Sequence, residues 1–541
     1  MSGADSGAIA RLLLLIRTVR HLRPIQVVNR VWRRIPRPRL PAGPPPPTRL
    51  ALPLADPPVF LGREPARLGP ERFRFLNDER HVPLEEYARP KPGLLWDYNF
   101  HYFDGLFAED TFDREDAEWV ADWLHHVPML SRPAWDPYPA SRRIHNWVKW
   151  ALATIRTLPD GFLESLAAQT RQLERTLEYH LLANHLLSNG VALTLAGCLF
   201  DGPDGERWLR RGVRLLRNEL REQFLDDGAH FELSPVYHAL LVEDLLDVIQ
   251  VARLAGVDLG GEIEPTVTRG LGWLRSMTRP DGRLPLFNDA SHGVARTPGE
   301  VLGYGARLGV AVPPEPEGAL VLHDPSGYFR YGHGRLSLFG DVGAPGPDYQ
   351  PGHAHCDILA FELCWDDRPM IVDTGTSTYE VGQRRSVERG TAAHNTVQVG
   401  DLEQSEIWAG FRLARRARVL DVRRDPRGVT GIIRAFPPAW HRVERSWRFE
   451  GEEVVVVDRV SEGAPDRGRV SRLHLHPDVQ VEKRNRAWVL DGVLHVSFEG
   501  AREVRVRDFE YAPEFNRRLP SKCVEIDFAG ELRTTIAPLD A

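Results

Sequence analysis

From about residue 95 to residue 312, apolar side chains recur at spacings of three and four, interrupted by Gly and Pro. The pattern is plainest at 116–127, 143–158, 162–181, 185–200, 206–224, 235–256 and 264–278, and that period is one face of an α-helix. Helices joined by short loops over such a length predict hairpin pairs stacked into a solenoid or closed into a ring, with a concave face that can hold a polymer. After residue 319 short Val- and Arg-rich runs alternate apolar and polar, with turn residues about every ten positions, which predicts an antiparallel sandwich. Two further zones precede the helices. Residues 35–60 are rich enough in Pro to be an extended linker or a surface strap, and the run RLLLLIRTVRHLRPIQVVNRVWRRI at 11–35 reads as a basic amphipathic helix on a membrane face or on the body of the protein. The expected organisation is α+β and multidomain: 1–60 basic helix and linker, 61–315 helical domain, 316–541 β-sandwich.

Composition narrows this reading only at its edges. A chain of 541 residues has ample core for several domains. A net charge of −6, from 69 basic and 75 acidic residues, gives no nucleic-acid footprint. Four scattered cysteines, Cys198, Cys356, Cys364 and Cys523, are too few for a disulfide scaffold and are expected to be buried thiols. The leader lacks a long apolar core and a small-residue cleavage site, so it is not read as a secretion signal. No stretch approaches the roughly 20 apolar residues that cross a bilayer. A cytoplasmic or membrane-peripheral protein is expected in preference to a periplasmic one.

The chemistry sits in a few short blocks. Read as a strand, GHAHCDILAFEL puts His353, His355 and Asp357 on one face. Asp373 closes the run MIVD and His394 lies in AAHNTVQV, so three adjacent strands would bring His355, Asp373 and His394 together, a donor set that suits zinc. HxHxD also begins a two-metal hydrolase motif, but Ile358 stands where a further His is needed. Upstream, His185 and Asn189 share a helix face beside Asn184. In ELSPVYH, Ser234 is a natural N-cap and Pro235 a natural first helical residue, which puts Tyr237 and His238 in the opening turn. There the helix dipole is expected to favour a phenolate.

The blocks WDYNFHYFDGL, YPASRRIHNWVKW, NHLLSNG, ELSPVYH, LPLFNDA, GHAHCD, IVDTGTSTYE and RGTAAHNTV, in this order, resemble the heparinase II/III family of polysaccharide lyases over roughly residues 95–410. The resemblance implies an incomplete (α/α) toroid followed by a β-sandwich, with an anionic polysaccharide in the cleft between them. Carried over by motif, Asn184 and His185 neutralise a uronate carboxylate, Tyr237 and His353 act as base and acid in β-elimination, and His355, Asp373 and His394 hold a structural zinc. Arg143, Asn146 and Trp147 are expected either to grip the sugar, with Trp147 as a stacking surface, or to serve plain helix packing, with Asn189, Glu232 and His238 as further substrate contacts. Some family members carry Glu three residues after the helix His, where this chain has Ser188, so the sugar contacts are expected to differ. The leader suits work on a cell-surface polysaccharide beside a membrane.

Three other activities fit the same residues. A uronate C5-epimerase needs the same carboxylate clamp and proton abstraction. A glycosidase needs two acids flanking the scissile bond, for which Glu232 and Asp289 are candidates, although orienting other site residues suits them better. A non-catalytic carbohydrate-binding or scaffolding protein needs neither Tyr237 nor His353.

Overall fold

The computed structural model describes residues 3–35, 43–107, 113–435, 441–461, 468–485 and 487–539. Helices α1 (Gly3–Val19) and α2 (Pro24–Trp32) come first, followed by a small meander of β1 (Arg67–Gly69), β2 (Arg72–Phe75) and β3 (Asp78–His81). The helical domain then runs through α3 (Leu94–Phe100), α4 (Asp113–His126), α5 (Pro137–Ala153), α6 (Phe162–Arg175), α7 (Ala183–Leu199), α8 (Gly202–Gln223), α9 (Pro235–Leu254), α10 (Ile263–Ser276) and α11 (Pro298–Arg307). The seven stretches with helical periodicity correspond to α4 through α10. The meander had no alternation strong enough to predict it. The period at 162–181 runs past the true end of α6 at Arg175, because residues 176–181 turn to deliver Glu178 to Asn189 and His185 of α7.

Large side chains at three and four spacing fuse these helices into one core. Trp119, Trp123, Trp147, Trp208 and Trp273 are all essentially inaccessible to water. Close helix contact is secured where side chains are smallest: a Cβ on Gly197 would lie 2.5 Å from the Leu209 backbone nitrogen, and one on Gly212 would lie 2.5 Å from that of Thr194. The facing pair α7 and α8 therefore tolerates no larger residue at either position.

The Pro-rich strap lies on this domain where it is described. Arg49 N donates to Leu199 O and Asp201 N donates to Pro47 O, while Arg171 Nη2 holds Pro44 O at 2.9 Å. Residues 36–42 of the strap lie outside the described residues.

The sandwich begins with a five-stranded antiparallel sheet, β4 (Leu320–His323), β5 (Tyr328–His333), β6 (Leu336–Asp341), β7 (Phe361–Trp365) and β8 (Arg368–Ile371), paired in sequence order. A ten-stranded sheet faces it, and Phe329, Leu338 and Leu363 of the first sheet share a core with Trp447, Val456 and Ile526 of the second. One hairpin of the larger sheet, Leu494–Glu514 with Arg517–Pro538, is long enough to leave the sandwich and touch the helical domain. At its tip His292 N donates to Pro513 O, Asn77 Nδ2 to Glu514 Oε2 at 2.9 Å, and Ala512 N to Thr374 O.

All four cysteines are free and buried. Among the described residues no helix is long and apolar enough to cross a membrane.

Two expectations about local structure fail. Residues 351–360 form a loop, and β7 starts only at Phe361, so GHAHCD is not a strand. Asp373 and His394 likewise lie just outside regular elements, after β8 and at the end of a short 3-10 turn. Alternation of side chains cannot explain how they meet; fixed loop ends do.

Candidate active site

The site lies where the N-terminal ends of α7 and α9 meet the loop before β7. Ser234 caps α9 by accepting from Tyr237 N, and its hydroxyl donates to Asp289 O at 3.0 Å. Asp289 N in turn donates to His353 O at 3.0 Å. Asn288 ties the same three segments: its Nδ2 donates to Leu233 O at 2.9 Å, and its Oδ1 accepts from His355 N at 3.0 Å. Backbone strain collects here. Ala183, Leu233 and Asn288 have positive φ, and each adjoins a site residue, namely Asn184, Glu232 and Asp289. Such conformations cost of order 1–3 kcal/mol each and persist only where their surroundings dictate them.

Within this frame the structure brings Tyr237 and His353 together, with ring centroids 4.1 Å apart and the planes tilted by 38°. His353 Nδ1 is 3.1 Å from Asp289 Oδ2, and its Nε2 is 3.3 Å from Glu232 Oε2. The other oxygen of Glu232 accepts from Asn184 N at 2.9 Å, which joins α7 to the pair. Asn184 is itself buried, and its Oδ1 has no partner. His185 is partly open; its Nδ1 lies 3.2 Å from Glu178 Oε1 and its ring 4.5 Å from that of Tyr138. The four residues expected to act together thus border one place.

The electrostatics differ from the expectation at Tyr237. Burial, with Tyr138, Asp289 and Glu232 nearby, pushes its phenol up, so the helix N-terminus does not leave a phenolate at rest. Burial also raises the Glu232 carboxyl. Burial opposes charge on His185, but Glu178 outweighs it and holds the imidazole above the ordinary histidine value.

Sequence motifs gave no warning of several participants. Tyr379 places its hydroxyl 3.2 Å from that of Tyr237. Arg385, completely buried, grips Asp289 Oδ2 at 2.7 Å and lies under the Tyr379 ring, 4.9 Å from its centroid. Burial favours the neutral form of Asp289, yet Arg385, with His355 and His353, holds its carboxyl well below the usual range. Asp289 is therefore an anchoring anion that fixes both histidines. Tyr379 falls inside the quoted block IVDTGTSTYE, which was a usable signal, whereas Arg385 has no local signature because its partner is distant in sequence.

Six expected sugar contacts are corrected. Arg143 is fully buried and donates to Gln169 Oε1, His101 O and Ala134 O. Trp147 packs on Phe103, Trp123 and Phe162 with no exposed surface. Asn146 is spent on Tyr102 O and Asp104 Oδ1. These three form the inner wall of the helical core and cannot reach a ligand. Asn189 is buried and holds Glu178 through Nδ2 at 3.0 Å, so it positions the partner of His185. His238 is buried with Nε2 on Gly270 O and Nδ1 accepting from His230 N. Glu232 lies behind His353 with its side chain almost wholly enclosed. With Asp289 locked by Arg385 and both carboxyls facing the same imidazole, the pair is not arranged as glycosidase acids flanking a bond.

The histidines expected to bind metal present a mixed picture. His355 Nε2 is 2.7 Å from Asp289 Oδ1 and His394 Nδ1 is 2.7 Å from Asp373 Oδ2. Their remaining nitrogens, His355 Nδ1 and His394 Nε2, are buried without partners, and the rings are 5.4 Å apart. Nearby, burial and the neighbouring Asp373 push the Asp357 carboxyl up to about 6, against the pull of His394. Two orphaned imidazole nitrogens beside crowded buried carboxyls suit a divalent cation. Asp373 fits less well as a ligand, because Oδ2 serves His394 and Oδ1 accepts from Gly375 N at 3.2 Å; this is how an outer carboxylate orients a metal-binding imidazole. Among the described residues, the one group of three ligating side chains with donor atoms mutually within 4.8 Å is His145, Asp244 and Asp247. It is already neutralised by Lys149 on Asp247 and Arg142 on Asp244, both at 2.6 Å.

Comparison with known proteins follows the two-domain division. The family description Heparinase II/III N-terminus matches residues 108–298, and Heparinase II/III-like, C-terminal matches residues 316–537. FtsZ-localized protein C of Caulobacter vibrioides (strain NA1000 / CB15N) is 28% identical over 339 residues, covering 61% of this chain and 57% of that protein. Heparin-sulfate lyase of Bacteroides stercoris is 24% identical over 304 residues, covering 51% and 45%. The chain therefore spans about half the length of these curated relatives. Among solved structures, a crystal structure of heparinase III superposes with a TM-score of 0.63 at 16% identity, covering 83% of this chain and 79% of the other. A second heparinase III superposes with a TM-score of 0.61 at 17% identity, covering 85% and 81%. The toroid-plus-sandwich fold is thereby shared.

Proposed function

Because this chain belongs to the heparinase II/III family, we propose that its cleft cleaves an anionic, uronate-containing polysaccharide by β-elimination. The observation that carries the reading is the close pair Tyr237 and His353, held by Asp289 and Glu232 beside Asn184 and His185. A proton next to a carboxylate is very weakly acidic, so elimination needs donors to stabilise the enolate-like dianion and a general acid for the departing O4. His185, whose charged form Glu178 favours, and the Asn184 amide meet the carboxylate. Tyr237 and His353, the latter oriented through Nδ1 by Asp289, move the C5 and O4 protons as base and acid. The product is a 4,5-unsaturated uronate end.

The test is incubation with sulfated and unsulfated uronate polysaccharides, following ultraviolet absorbance of the new conjugated double bond alongside reducing ends. Both are expected to rise together. Reducing ends without absorbance would mean hydrolysis. Deuterium entering C5 without chain cleavage would mean epimerisation. Either result removes the lyase assignment.

A non-catalytic scaffold is the second reading. It is favoured by the likeness to FtsZ-localized protein C, which extends over more of the chain than the likeness to the Bacteroides stercoris lyase. Such a protein would have no use for the Tyr237 hydroxyl.

The zinc is proposed as structural. His355 and His394 would hold it through their free nitrogens, and its charge would relieve the crowding of Asp357 and Asp373. Elemental analysis of protein purified without chelators is expected to find about one zinc per chain, and His394→Ala is expected to abolish it. Metal-free protein whose thermal unfolding is unchanged by added zinc would remove this assignment.

A further inference from the structure

The first two helices are mounted inside out. On α1 the inward positions are Leu14, Arg17 and Thr18: Arg17 Nη1 donates to Glu406 Oε1 at 3.1 Å, and Trp408 Nε1 donates to Thr18 Oγ1 at 3.0 Å. On α2 they are Gln26, Asn29 and Arg33. Gln26 is 1% exposed, with Nε2 on Leu181 O and Tyr349 O, and Arg33 Nη1 holds Thr176 O at 3.1 Å. The polar faces are thus the ones buried against the protein.

The opposite faces are apolar and point to solvent. Ile9, Leu12, Leu13 and Ile16 on α1 follow the three and four spacing of one stripe, and Leu15 and Val19 widen it. Ile25, Val28 and Trp32, joined by Val27 and Val31, do the same on α2, and Ile35 follows just beyond it. Twelve of the 22 exposed large hydrophobic side chains among the described residues lie in positions 9–35. Leaving such a stripe in water costs free energy, which favours a partner that covers it.

Charge identifies the cover. Residues 9–35 contain seven arginines and no Asp or Glu. Arg11, Arg20, Arg30 and Arg34 are exposed beside the apolar stripes. Apolar stripes rimmed only by guanidinium groups complement the headgroup and upper acyl region of an anionic bilayer, and neither helix can cross one.

We propose that α1 and α2 form an interfacial platform that docks the full chain, unassisted, on an anionic lipid surface. The platform touches both domains, Glu406 and Trp408 in the sandwich and Thr176 and Leu181 just ahead of α7. Docking therefore sets the cleft beside the membrane, and the polysaccharide it takes is one held at that surface. Lipid binding does not depend on whether the cleft is catalytic.

The test is co-sedimentation of the full chain with vesicles of phosphatidylcholine alone or mixed in equal parts with phosphatidylglycerol. Binding to the mixed vesicles is expected to be roughly tenfold or more tighter than to the neutral ones and to weaken with salt. The combined variant Leu12→Ser, Ile16→Ser, Val28→Ser and Trp32→Ser is expected to lose binding while keeping its circular dichroism and its activity on soluble polysaccharide. Because α1 and α2 are already docked by their polar faces, replacing their outer faces leaves that docking intact. A polarity-sensitive fluorophore on Trp32→Cys is expected to shift to the blue on adding mixed vesicles. Equal binding by the parent and the serine variant would overturn the proposal. So would a chain that ignores both vesicles but dimerises through the same four residues, since a second copy would then be the cover.

Discussion

Tyr237→Phe is expected to lower the elimination rate by roughly a hundredfold to ten-thousandfold, the usual contribution of a positioned proton-transfer group. The substitution removes one oxygen and leaves the ring against which His353 packs. It also leaves the α9 cap from Ser234, which uses the backbone of residue 237. Folding and KM should therefore change little, so that the loss appears in kcat. Because Tyr379 keeps a hydroxyl within 3.2 Å of the vacated position, the double variant with Tyr379→Phe is expected to remove residual activity if that phenol partly substitutes. Full activity of Tyr237→Phe, measured as ultraviolet absorbance of product, would remove Tyr237 from the proton transfer.

Asp289→Ala is expected to be the most damaging substitution at the site for stability as well as activity. It strands Arg385, which has no exposed surface, and breaking a buried pair from one side costs about 3–5 kcal/mol. His353 and His355 lose their common anchor at the same time, so activity should fall even in the fraction that folds. Urea unfolding measures the first effect. Arg385→Leu added to Asp289→Ala should cost much less than it does in the parent, because the unpaired charge has gone. Purely additive losses would mean that the two do not act as a pair. The pH dependence has a definite sign. The Asp289 carboxyl is depressed in the folded state, so its stabilisation is complete above the ordinary aspartate value of about 3.9 and fades only as pH falls through the depressed value.

The two-domain layout was legible because periodicity reports burial directly, and α4 through α10 and the strands after residue 319 each bury one face. What could not be read is which polar residues a helix turns inward. Arg143, Asn146 and Trp147 occur in one of the blocks that resemble the heparinase II/III family, yet α5 buries nearly its whole circumference, and these side chains satisfy backbone carbonyls and core contacts from there. Period alone cannot distinguish a helix buried all round from one lining a groove. The loop at 351–360 failed for a related reason. Its alternation of His and small residues imitates a strand, but the pattern is imposed by Asp289, whose two oxygens take His353 and His355 from successive turns of irregular backbone. Arg385 was invisible because its pairing partner lies 96 positions away.

The long hairpin ending the sandwich carries a consequence for biosynthesis. Phe515 at its tip packs edge-on against Tyr379 at 4.8 Å, and Ala512 bonds to Thr374. Tyr379 thus lacks its support while it leaves the ribosome, and gains it only after the distal strands have been translated and paired. The toroid wall is translated first, so completion of the cleft follows completion of the C-terminal sheet, and a nascent chain stalled before residue 511 would lack the contacts that support Tyr379.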